Sequence, residues 1–96
     1  MQSFRKKINT LIKTGISPLK YGIHNFNNPT KPVERLAVNR LSTCIKCEHF
    51  VDEPIDFLKV EDNFIPALSN KMCGECGCTL SYKTRQSILK CERWQE

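Results

Sequence analysis

Six cysteines in a chain of 96 residues, four of them in two Cys-x2-Cys units, constrain this fold more than any other feature. They are Cys44, Cys47, Cys73, Cys76, Cys78 and Cys91, and the stretch MCGECGC, Met72 to Cys78, sets three of them in seven residues. A chain this short buries too little apolar surface to be comfortable and usually needs a staple. With 40% apolar residues and eight aromatics, sulfur is the obvious one here.

The compartment decides between disulfide and metal. The N-terminus MQSFRKKINTLIKTGIS has no apolar run of seven and no small-residue cleavage site, and no 18-residue apolar window occurs. The expectation is a protein that is neither secreted nor membrane-spanning, found in a host cytoplasm or a virion. In a reducing compartment clustered cysteines read as metal ligands before disulfides.

Two Cys-x2-Cys pairs twenty-five residues apart follow zinc-ribbon logic. Each pair folds a tight turn that points two thiolates at one ion, and two turns complete a tetrahedral four-sulfur shell. Gly77, directly after Cys76, lets the second turn take a positive φ. Zinc is preferred to iron–sulfur because bacterial cluster motifs space three ligands closely and regularly. The expected ligands are Cys44, Cys47, Cys73 and Cys76 around one Zn2+. Cys78 and Cys91 form a second tier: they can complete a two-ion cluster with shared sulfurs, replace one ligand, or be a packed or redox pair. A structural zinc would contribute on the order of 10 kcal/mol to folding. His49 reads as a surface residue beside the thiols, and His24 has no ligand neighbour.

Charge is unevenly placed. Residues 1–33 hold Arg5, Lys6, Lys7, Lys13, Lys20 and Lys31 and no acid, a net of +6, whereas residues 34–96 net −1. Phe4, Ile8, Leu11 and Ile12 fall on one face of a short helix that Gly15 can end. A lone helix of that length is marginal in water, so its apolar face needs a surface to lie on. Residues 15–32, GISPLKYGIHNFNNPTKP, have the composition of turns and read as an extended arm. Pro32 suits a helix start, and Leu36, Ala37 and Leu41 make one stripe of a helix running into Cys44, with Glu34, Arg35, Asn39 and Arg40 outside it. Pro54 and Pro66 limit the spacer before Cys73 to short strands or turns. Leu80, Tyr82 and Thr84 alternate like a strand, and SILKC is a second β-like run. The fold class is thus a small metal-stapled α+β chain: residues 1–32 form a basic helix and extended arm, and residues 33–96 a Cys-rich zinc-ribbon-like domain with β-hairpins.

The span from Glu34 to Trp94 resembles a group of small phage-encoded zinc-ribbon-like proteins. Their pattern is C-x2-C, a spacer, C-x2-C-G-C-x-L-x2-K, a second spacer and C-P-x2-K-W. All six cysteines, Leu80, Lys83 and Trp94 match it, while Glu92 replaces the proline and Arg93 precedes Trp94. The family mostly lacks an assigned activity, so the resemblance implies a phage or phage-like origin more than a mechanism.

No nucleophile with its base, carboxylate pair or phosphate loop is evident, and a four-thiolate site is closed to water. The expectation is a non-enzymatic accessory or structural protein that docks on a larger protein assembly, a virion or nucleoprotein complex. Arg5, Lys6, Lys7, Lys13 and Lys20 are the candidate contacts to partner or nucleic acid. The alternative is a nucleic-acid-binding zinc-ribbon protein in transcription or replication, for which Lys83, Arg85, Lys90 and Arg93 around Tyr82 and Trp94 could add a basic patch. Membrane-surface binding by the first helix is the weakest reading.

Overall fold

A computed structural model describes residues 2–94 and 96. In chain order they form α1 (Gln2–Thr14), α2 (Ser17–Asn27), α3 (Lys31–Cys44), β1 (Phe50–Asp52), β2 (Lys71–Cys73) and the single-turn helix α4 (Leu80–Lys83). Short 3-10 turns at Asp56–Leu58 and Pro66–Leu68 occupy the spacer, consistent with its two prolines. The architecture is a small α+β fold.

α1 ends as its sequence indicates: Gly15 takes φ +74 and donates its N–H to the Leu11 carbonyl at 2.8 Å. α3 begins beside Pro32 and runs into Cys44. Between them the extended arm is overturned, because residues 17–27 are helical. Pro18 lies in the first turn, where its missing N–H costs nothing. Packing against α4 then decides the conformation. Gly22 is buried flat on Tyr82, where an added Cβ would lie 2.9 Å from the Tyr82 carbonyl carbon. Phe26 meets the Tyr82 ring edge-to-face at 5.4 Å, and Asn25 Nδ2 donates to the Arg85 carbonyl at 2.7 Å.

β1 and β2 pair antiparallel, Phe50 opposite Cys73 and Asp52 opposite Lys71, so the sheet delivers Cys73 to the start of the second cysteine turn. The hairpin expected after Cys78 is a second correction. Met72 makes an isolated bridge to Thr79, and the chain then coils into α4. Leu80 and Thr84, four residues apart, are both buried on its inner side, and Thr84 Oγ1 donates to the Leu80 carbonyl at 2.7 Å. The core comprises Ala37, Ile65, Leu68, Cys73 and Leu80, with Leu41, Cys44, Phe50 and Cys76 packed on it. Sulfur therefore sits within the apolar cluster. Among the described residues no helix is long and apolar enough to cross a membrane.

Candidate metal centre

The first Cys-x2-Cys unit is the C-terminal end of α3. Cys47 N–H donates to the Cys44 carbonyl at 2.9 Å, closing the turn that brings the two residues to one side. In the second unit Gly77 takes φ +77 and donates to the Cys73 carbonyl at 2.7 Å, the left-handed turn its position requires. Trp94 N–H bonds to the Cys91 carbonyl at 3.1 Å, a turn that folds the chain end back over Cys44.

Donors surround the sulfurs. Trp94 Nε1 lies 3.4 Å from Cys44 Sγ, the His49 backbone N–H 3.5 Å from Cys47 Sγ, and Lys83 Nζ 3.3 Å from Cys76 Sγ. The Arg93 guanidinium is held by Glu75 at 2.5 Å and borders the same small cavity as Cys91. N–H groups and cations aimed at sulfur favour thiolate, and they are the outer partners that thiolate-bound metals require.

The thiols of the second unit form a chain. Cys73 gives its S–H to Cys76, which with burial pushes the Cys73 thiol up. Cys76 is pulled down by that bond but is raised on balance by the bond it gives Cys78 and by burial. Cys78 receives that bond and is pushed down despite burial, with Lys83 assisting. Burial opposes the Lys83 charge, yet the neighbouring Cys76, Cys73 and Cys78 hold it on balance above the usual lysine range.

Two cavities flank the cluster. A small one of about 20 Å³ is lined by Cys44, Cys47, Cys73 and Cys91 together with Phe50, Leu80 and Trp94. A larger one of about 440 Å³ lies between α1, α2 and residues 57–60, and Cys78 faces it. Cys78 and Cys91 therefore look into different cavities. Among the described residues, no three His, Cys, Asp or Glu side chains are gathered as they stand at metal-holding distance. The donor set nevertheless fits zinc: four cysteines line the small cavity beside His49, with N–H donors at hand and no carboxylate among the lining.

The predicted basic residues divide. Lys6 Nζ donates to the Gly74 carbonyl at 2.6 Å, Lys7 Nζ bonds to the Gly77 carbonyl and lies 2.6 Å from Glu53 Oε1, and Thr10 Oγ1 donates to the Cys76 carbonyl at 2.7 Å. These contacts dock α1 onto the second cysteine turn, with Lys7 half-buried there and Lys6 reaching the Gly74 carbonyl from an exposed position. Arg5, Lys13 and Lys20 are exposed.

The basic patch around Tyr82 and Trp94 is not formed as expected. Lys83 and Arg85 are buried, and Arg93 is tied to Glu75. Arg40, placed by periodicity on the outer face of α3, is buried too. It stacks 4.4 Å from the Trp94 ring centroid and bonds to Glu96, Ser87 and the Thr84 and Gln86 carbonyls. Sequence reading missed Lys83 as a sulfur partner. The signal was its place one helical turn beyond the cysteines, on the same single-turn helix as Leu80.

No protein-family model, no curated protein and no solved structure matches this chain. The likeness to phage zinc-ribbon-like proteins therefore rests on the sequence pattern of the six cysteines with Leu80, Lys83 and Trp94 alone.

Proposed function

We propose that the chain is a non-enzymatic, zinc-stapled accessory module that docks on a larger assembly, a virion or nucleoprotein complex, of phage or phage-like origin. The observation that carries this reading is the 440 Å³ cavity. Its walls include Phe4, Ile8 and Leu11 of α1, Leu19 and Ile23 of α2, and Phe57, and no carboxylate is among its lining. Phe57 is 83% exposed at its rim and Ile12 of α1 is 76% exposed, so apolar surface continues outward from it. With the basic charge concentrated in residues 1–33, the partner chemistry that complements this groove is an acidic amphipathic helix, laid with its apolar face inward.

The test is co-purification in fixed stoichiometry with one partner, followed by cross-linking from Lys13 and Lys20. The expected contact is an acidic amphipathic segment, and Ile8→Glu should abolish it while the zinc content is unchanged. A cross-linked segment that is basic or uniformly polar overturns this partner chemistry.

A second reading, nucleic-acid binding, is favoured by Arg5, Lys13 and Lys20, which are exposed and have no ion-pair partner among the described residues. Three phosphate contacts predict a log–log salt slope of about −2.7 on duplex DNA. Affinity that ignores salt, or that survives deletion of residues 1–33, counts against it.

A further inference from the structure

We propose that the single metal ion is held by Cys44, Cys47, Cys73 and Cys91, and that Cys76 and Cys78 stay outside its shell. This rests on the zinc reading above and changes which sulfurs carry it. Spacing alone pairs Cys73 with Cys76, as the two Cys-x2-Cys units suggest. The fold favours Cys91 instead.

Three observations support the exchange. The small cavity of about 20 Å³ is bounded by these four cysteines and by neither Cys76 nor Cys78. That is room for about one water-sized particle, and an ion there would be bordered by Phe50, Leu80 and Trp94, with Lys83 and Arg93 also on the wall. Second, Cys44 and Cys47 each have an N–H donor, from Trp94 and His49 respectively, and Arg93 shares the small cavity with Cys91. Third, Cys76 has Lys83 Nζ at 3.3 Å and lines neither cavity, while Cys78 lines the larger one. The Lys83 ammonium, which also borders the small cavity, then serves Cys76 as an ion-pair partner.

The chemistry is a simple exchange. Each of the four thiols gives its proton to solvent as a metal–sulfur bond forms, and no electron moves. Four thiolates around a dication carry a net −2, which Arg93 and Lys83, both near the sulfurs, partly offset. A four-sulfur shell leaves no position for water, so the centre is structural.

The experiment is metal analysis and thiol counting on the full chain, with Co2+ as spectroscopic probe. Wild type is expected to hold about one zinc per chain and to show two readily modified thiols before chelation and six after. Cys76→Ser and Cys78→Ser should keep the ion, and Cys91→Ser should lose it. Because Cys91→Ser could simply fail to fold, Cys91→His supplies a second readout. It should bind Co2+ with d–d bands shifted by one nitrogen-for-sulfur exchange, whereas Cys76→His should keep the wild-type spectrum. Loss of metal in Cys76→Ser with retention in Cys91→Ser overturns the assignment and leaves the zinc reading standing, as does a stoichiometry of two. A wild-type protein that takes up no zinc or Co2+ overturns both.

Discussion

Arg85 and Asp62 form an ion pair with no solvent exposure on either side chain: Nη1 lies 2.7 Å from Oδ2, and both side chains are 0% accessible. Glu34 closes the other edge of the guanidinium through Nε at 3.0 Å and Nη2 at 2.8 Å, and the Ser81 carbonyl takes a further N–H. The five N–H groups are thereby all used. Since Glu34 starts α3, Asp62 lies in the spacer and Arg85 follows α4, one residue ties three parts of the chain together. Arg85→Met should cost roughly 3–5 kcal/mol in urea unfolding, because it strands Asp62 as an unpaired buried charge. A loss near zero would mean that Asp62 is hydrated.

Burial raises the Asp62 carboxyl, but bonds from Arg85, the Ile65 N–H and Ser81 outweigh it and hold the group below the usual carboxylate range. A depressed folded value stabilises above the unfolded value, about 3.9, and the benefit is lost as pH falls through the folded value. The stability gap between wild type and Asp62→Asn should therefore be full above about pH 4 and shrink below it. Urea midpoints measured in parallel from pH 6 to pH 2 check this, and taking the difference cancels the acid loss of any thiolate-bound metal. A gap that widens on acidification would reverse the sign.

Much of this was legible in the sequence and some was not, for physical reasons. The i, i+4 apolar spacing marked α1, and Pro32 with Leu36, Ala37 and Leu41 marked α3, because those signals are local. α2 was hidden: its turn-like residues are helical because Gly22 and Phe26 meet Tyr82, some sixty residues on, and no local preference reports that contact. α4 looked like a strand because Leu80, Tyr82 and Thr84 alternate with polar residues over five positions, too few to tell the two periods apart. Arg40 and Arg85 read as surface charge because a guanidinium satisfied by five acceptors is a tertiary property. The cysteine spacing announced a sulfur cluster, whereas the approach of Cys91 depends on the turn that returns Trp94 to Cys44.

Gly22 and Gly15 should separate close contact from backbone conformation. Gly22→Ala drives a methyl into the Tyr82 backbone and should cost about 1–3 kcal/mol as an overpacking change. At Gly15 an added Cβ meets nothing within 4 Å, so Gly15→Ala should lose only the left-handed backbone term, about 1–2 kcal/mol. Gly15→Asn should recover part of that loss, while no residue recovers it at Gly22. Thermal midpoints of the three variants decide.

Glu53 is almost wholly buried, with Lys7 at 2.6 Å as its cation. Lys7→Met should leave that carboxylate unpaired and release α1, read as new proteolytic cleavage near Gly15. Adding Glu53→Gln should restore part of the stability, with a coupling of about 0.5–3 kcal/mol in a double-mutant cycle. Additive losses would show that the helix is held by its apolar face alone.

On the zinc reading, chelation should lower the thermal midpoint steeply, since binding free energy on the order of 10 kcal/mol is folding free energy here. Trp94 is a built-in reporter because its indole N–H contacts Cys44 Sγ. Its fluorescence should change with the metal and return on adding Zn2+. An emission spectrum and midpoint indifferent to chelator would remove the metal from the account.

The docking of α1 also fixes an order of events on the ribosome. Lys6, Lys7 and Thr10 find their acceptors at Gly74, Gly77 and Cys76, sequence separations of 66 to 70 residues. At translation rates of about 5–20 residues per second, roughly 3–14 seconds pass between synthesis of the first helix and of its platform. Throughout that interval Lys6, Lys7 and Thr10 lack their native acceptors. The first helix is thus synthesised well before the platform that holds its polar contacts, and a nascent chain stalled before Met72 would present a basic amphipathic helix without that platform to whatever chaperone or neighbour reaches it first.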